Sequence, residues 1–152
     1  MLKWMGRVPE KRPLYVMVKA ILIADDNEDD AQLLANTLAT ARSKNPVFAV
    51  PNGVEVVKYL EGYGAFGDRF NYPLPSVILL DLKMPGLGGH GVLEWLQKQS
   101  QFKDILVIVV SGLENMKEID RAYKLGARSF IPKPCTPEDI KNVAEAFQKH
   151  WD

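Results

Sequence analysis

The feature that most restricts what this chain can fold into is an alternation. Five short apolar runs are separated by stretches of helical spacing, and four of the runs give out at a charged or hydroxyl residue. The run Tyr15–Ala24 is apolar and β-branched apart from Lys19, and Asp25 stops it. Ala31, Leu34, Leu38 and Ala41 then recur at helical intervals within Glu28–Ser43. Pro46–Val50 reads as a short strand closed by Pro51-Asn52-Gly53 turn chemistry, and Gly53, Val56, Val57 and Leu60 share the next helical face. Val77–Leu80 is unbroken and ends at Asp81, the pattern of a strand covered on both faces.

The alternation continues to the C-terminus. A helix carrying Val92, Leu93 and Leu96 follows the Met84–Gly91 turn, and Ile105–Val110 is a further buried strand ended by Ser111-Gly112. Met116, Ile119 and Tyr123 form a helical stripe that Gly126 terminates. Ser129–Ile131 precedes Pro132-Lys133-Pro134; Thr136 and Pro137 have the chemistry of an N-cap and first helical position, and Ile140, Val143, Ala144 and Phe147 give the last apolar face. Five βα units in series imply an α/β fold: a parallel sheet, helices on both faces and right-handed crossovers.

Composition narrows the classes of function. The 152 residues suit one domain, and an apolar share of 47% is enough for one core. Lysine plus arginine balances aspartate plus glutamate at 19 each, so no overall field draws the chain to nucleic acid or a membrane surface. The acids nevertheless crowd into Asp25–Asp30. A lone cysteine, Cys135, allows no internal disulfide, fits a reducing compartment and has no partner to activate it as a nucleophile. No apolar stretch approaches the length of a membrane span, and residues 1–17 read as a leader ahead of a domain over 18–152, with the cytoplasm as the expected location. Between residues 61 and 76 lies a stretch longer than the scaffold needs. Its four aromatics, Tyr63, Phe66, Phe70 and Tyr72, suggest that some pack down and that the segment offers a contact surface.

In open α/β sheets ligands bind beyond the carboxyl ends of the strands, where strand order reverses. Those ends supply Asp25 and Asp26, Asp81, Ser111 and Lys133. Each alone is a common turn or cap residue; their agreement on one edge is what matters. Three carboxylates in a crevice repel, and a divalent cation together with the Lys133 ammonium balances them. Magnesium suits such an oxygen set, while His90, His150 and Cys135 each stand alone and suggest no softer metal. A carboxylate so placed can attack phosphorus, with the cations neutralising the transferring group and the hydroxyl bonding one of its oxygens.

The segments ILIADDNEDD, VILLDLKMPG, ILVIVVSG and SFIPKP stand in the order and spacing of the response-regulator receiver family, which the chain resembles from about Val18 onward. The resemblance implies a flavodoxin-like (βα)5 fold with strand order 2-1-3-4-5. It implies Asp81 as phosphoacceptor, and Mg2+ held by Asp26, Asp81 and the Lys83 backbone carbonyl, with Asp25 acting through water. Ser111 and Lys133 would contact the phosphoryl group, and Ser111 with Phe130 would form the switch. The loop containing YLEGYGAFGDRF is similar to that of regulators partnered with phytochrome-type histidine kinases. Departures are few: Gly88 stands where an aspartate or asparagine is common, Lys83 adds a cation two residues after the acceptor, and Phe130 lacks the hydroxyl of the commoner tyrosine.

The implied partners are a sensor histidine kinase or a histidine phosphotransfer protein, and a second copy of the chain through the face of helix four, strand five and helix five. No DNA-binding motif, P-loop or dinucleotide loop is present, so output is expected through protein contacts and not through an enzymatic activity. Two rivals are a receiver-like module that is never phosphorylated and a dehalogenase-type phosphatase. The second would want an aspartate two residues after its nucleophile on strand one, where Asp25 leads to Asn27.

Overall fold

Residues that alternate along each strand go to opposite faces of one sheet, and this divides the core in two. The computed structural model describes residues 19–41, 43–112 and 115–151. Strands β1 (Ala20–Ala24), β2 (Val47–Val50), β3 (Pro75–Leu80), β4 (Leu106–Ser111) and β5 (Ser129–Pro132) form a single sheet in the order β2-β1-β3-β4-β5. Every neighbouring pair is parallel, which is the flavodoxin-like arrangement. Helices α1 (Glu28–Thr40), α2 (Gly53–Glu61), α3 (Gly89–Gln97), α4 (Met116–Lys124), α5 (Pro137–Ala146) and α6 (Gln148–Trp151) complete the layers.

Ile21, Ile23, Val77, Leu79 and Ile108 pack with Leu34 and Leu38 of α1 and Ile140 and Val143 of α5. Leu22, Ile78, Leu80 and Val109 pack on the other side with Val56 and Leu60 of α2, Leu93 of α3 and Ala122 of α4. The central strands are covered on both sides, so every residue of β1 and β4 is buried. Burying one such isoleucine or leucine stabilises the fold by about 1.5–3 kcal/mol.

Local chemistry sets the helix ends. Asn27, Asn52 and Asn115 cap α1, α2 and α4 through their side chains, and Thr136 with Asp139 forms a reciprocal capping box on α5 behind Pro137. Gly53 begins α2 where a Cβ would lie 2.2 Å from the Leu87 carbonyl oxygen, so only glycine lets α2 approach the β3–α3 loop so closely. At the opposite end of the sheet α6 is tied down by Asn45, which donates to the Trp151 carbonyl at 2.7 Å, and by Ser76, which donates to that of His150 at 2.7 Å.

Several sequence expectations change. Residues 15–18 of the first expected strand, and the leader over 1–17, lie outside the described residues; the described strand begins at Ala20. Helix α1 ends at Thr40 and not at Ser43. Of the expected Met116–Ile119–Tyr123 stripe, Ile119 faces the core and the other two do not: Met116 is 65% and Tyr123 45% exposed, and Ala122 is buried beside Ile119. Gly126 follows α4 with φ +115°, as its terminating role requires.

The segment between α2 and β3 folds back on the body. Gly62, at φ +73°, ends α2, and a short 3-10 turn spans Gly64–Gly67. Arg69 donates to the carbonyls of Tyr59 (2.8 Å), Leu60 (2.7 Å) and Tyr72 (3.3 Å), satisfying the end of α2. Phe66 and Tyr72 pack edge-on to one another at 5.2 Å and both meet the buried ring of Tyr59, while Tyr63 and Phe70 stay exposed. The expected packing-down thus involves two of the four aromatics.

Candidate functional site

The strand order reverses between β1 and β3, and the polar residues meet just beyond the carboxyl ends there. Asp25 follows β1 and Asp81 follows β3, with the Asp81 amide bonded to the Ala24 carbonyl at 2.9 Å. Ser111 ends β4; Lys133 follows β5 and donates its amide to the Ser111 carbonyl at 3.1 Å. The Lys133–Pro134 peptide is cis. Each residue is therefore fixed by a ladder or ladder-like bond before its side chain does anything.

The side chains converge. Carboxylate oxygens of Asp25, Asp26 and Asp81 lie within 4.8 Å of one another, with Asp25 and Asp81 buried and Asp26 exposed. The Lys133 Nζ lies 2.8 Å from Asp25 and 2.9 Å from Asp81. Ser111 Oγ donates to Asp81 Oδ1 at 3.0 Å, and the Lys83 amide donates to the same oxygen at 3.2 Å. The Asn27 amide donates to Asp25 Oδ1 at 2.9 Å. Gly89 at the start of α3 leaves room for the strand end, since a Cβ there would sit 2.6 Å from the Asp81 carbonyl oxygen.

One member was not anticipated. Asp30, in the first turn of α1, places its carboxylate 3.0 Å from Lys133 Nζ. Its amide is taken by the Asn27 cap, so the side chain is held at the rim of the site. The sequence balance of three carboxylates against an ammonium and a dication is thereby corrected. Four carboxylates surround the pocket, and a dication leaves one negative charge over.

The electrostatics follow from burial. Burial pushes the Asp25 carboxyl above its ordinary range, outweighing the opposing pull of Lys133 and the Asn27 amide. A carboxylate beside an ammonium normally falls, so its rise reflects how far burial strips this carboxyl of water, with the nearby Asp81 charge adding to it. Burial alone would lower Lys133, but its hydrogen bonds to Asp25, Asp81 and Asp30 prevail and hold it above the usual lysine value. Oxygen-only donors, one of them exposed, suit a hard divalent cation that keeps several waters.

The remaining candidates are also located. Lys83 is exposed, and Phe130 is half-buried against the α2–α3–α4 side of the core. Burial pushes the Cys135 thiol up to about 12, against any nucleophilic role. His90 accompanies Glu118, its Nε2 lying 2.9 Å from the Glu118 carbonyl oxygen, and joins no metal-like group among the described residues.

The profile of the response regulator receiver domain matches residues 21–145. The chain belongs to the response regulator receiver domain family. Its work is two-component signalling. Response regulator Rcp1 of Synechocystis sp. is 25% identical over 133 residues, covering 88% of both chains. The phosphorylated cyanobacterial phytochrome response regulator RcpA superimposes with a TM-score of 0.72 at 28% identity, covering 88% of this chain and 93% of its own. The bacteriophytochrome response regulator AtBRR gives 0.76 at 27% identity, covering 89% and 96%. Rcp1 has also been solved in a manganese-bound form, with a TM-score of 0.70 at 25% identity, covering 88% and 94%. No described helix of this receiver is long and apolar enough to cross a membrane. Neither rival from the sequence, the unphosphorylated module or the phosphatase, gains support from these relatives.

Proposed function

We propose that this receiver accepts a phosphoryl group on Asp81. The observation that carries the reading is the set of contacts on that one carboxylate: Lys133 at 2.9 Å on Oδ2 and Ser111 at 3.0 Å on Oδ1, with Asp25 and Asp26 alongside. An Asp81 oxygen forms the bond to phosphorus as the bond to the donor's histidine nitrogen breaks, and that nitrogen keeps the electron pair. Lys133 supplies positive charge to the phosphoryl oxygens, and Ser111 turns its hydroxyl from Asp81 to one of them. Asp25, Asp26, Asp81 and the Lys83 carbonyl would hold Mg2+, which when bound neutralises charge on the transferring group. That the relative Rcp1 has a manganese-bound form supports binding of a divalent cation by this chain.

The donor is a histidine kinase or histidine phosphotransfer protein in the cytoplasm. The relation to RcpA and AtBRR supports a kinase of phytochrome type. Output passes by protein contact as Ser111 and Phe130 readjust, and the exposed Met116 and Tyr123 on α4 support a dimer through the α4–β5–α5 face. The test is incubation with acetyl phosphate and Mg2+ followed by intact-mass measurement. The wild-type chain should gain one phosphoryl group and Asp81→Asn none; labelling that persists in the variant moves the acceptor elsewhere.

A further inference from the structure

We infer that Asp30 is a positioning residue that competes with the phosphoryl group for Lys133, weakening its hold on that group while favouring the metal. This rests on the reading of Asp81 as acceptor. An ammonium has three N–H donors, and in this structure three carboxylates stand within 3.0 Å of Lys133 Nζ: Asp25, Asp81 and Asp30. Asp25 and Asp81 belong to the cluster whose oxygens can share a cation; Asp30 does not. When a dication and a phosphoryl group occupy that cluster, Asp25 and Asp81 have other calls on their oxygens. Asp30 has none, so it alone keeps its claim on the ammonium.

Its geometry suits that part. The Asn27 side chain accepts from the Asp30 amide at 2.9 Å, locking the first turn of α1, and Lys133 is anchored by the bond of its own amide to Ser111. Two fixed backbones therefore hold the ion pair at the rim. The Asp30 side chain is 42% exposed, against 4% for Asp25 and 8% for Asp81, so neutralising it strands no buried group. Its charge nonetheless acts on both ligands, with opposite sign. It attracts the cation and repels the anionic phosphoryl group.

The experiment uses the full chain and two titrations by calorimetry: Mg2+ alone, then beryllium trifluoride, an anionic phosphoryl mimic, at saturating Mg2+. Asp30→Asn should weaken Mg2+ by about threefold and tighten the mimic by about threefold or more, the scale of one screened charge a few ångströms away. Asp30→Ala should repeat both signs, and Asp30→Glu should restore wild-type values. The lifetime of acetyl-phosphate-derived label should lengthen in the first two variants. A fall in both affinities together marks a merely structural residue and overturns the inference, as does no change in either. If the wild-type chain itself neither labels nor binds the mimic, it is the Asp81 reading that fails.

Discussion

Replacing Lys133 by methionine keeps much of the side chain's length and apolar volume while deleting its charge. Three ion pairs go at once, at 2.8 Å to Asp25, 2.9 Å to Asp81 and 3.0 Å to Asp30. Asp30 is 42% exposed, so solvent screens that pair to about 0.5 kcal/mol. Asp25 and Asp81 are 4% and 8% exposed, and removing one partner of a buried pair costs about 3–5 kcal/mol. Lys133 is itself 21% exposed and a stranded carboxyl can take up a proton, so the net expected loss is about 2–4 kcal/mol near neutral pH.

The sign of the pH dependence follows from Asp25, whose carboxyl is already raised and rises further once the ammonium is gone. A raised carboxyl contributes stability that is present at low pH and lost as pH climbs through the folded value, so the deficit should shrink on going from about pH 7.5 to about pH 5. Lys133 does not blur this in the wild type. Its value is also raised, so its contribution is fully present below the unfolded lysine value of 10.5. Urea unfolding without divalent cations at both pH values is the assay. A deficit under about 1 kcal/mol, or one no smaller at the lower pH, refutes the charge argument.

Two further substitutions probe the scaffold. Gly53→Ala forces a Cβ to within 2.2 Å of the Leu87 carbonyl and 2.9 Å of Val92, so it should cost about 2–3 kcal/mol and lower the melting temperature by several degrees; an unchanged melt would show that α2 can retreat freely. Arg69→Ala leaves the Tyr59 and Leu60 carbonyls without their charged donor, so it should cost about 1–2 kcal/mol and speed amide exchange through residues 62–74 while acetyl-phosphate labelling persists; unaltered exchange there would count against the anchoring role.

Most of the site was legible because strand ends are legible. Apolar runs that stop at Asp25, Asp81 and Ser111 mark where a buried parallel sheet meets solvent, and the topology gathers those points. Asp30 escaped because nothing near it in the chain refers to Lys133, 103 residues away. Within Asn27–Asp30 it reads as one more acid favoured at a helix start. The α4 stripe misled for a related reason. Over the nine residues of Met116–Lys124, two apolar faces are compatible with helical spacing, and alanine carries too little hydrophobic signal to reveal that Ala122 and not Tyr123 faces inward. Arg69 was silent too, since a loop arginine gives no hint that its targets are the closing carbonyls of the preceding helix.

The aromatic anchorage of the 62–74 segment makes it mechanically independent of the carboxylate cluster. That segment enters β3 at Pro75, whereas Asp81, the proposed acceptor, lies just past Leu80, so the strand keeps the two apart by about 20 Å. Phe66, Tyr72 and Tyr59 hold the segment by stacking on themselves, borrowing nothing from the acidic rim. Changes at the exposed Tyr63 and Phe70 should therefore leave the chemistry proposed for the far edge untouched.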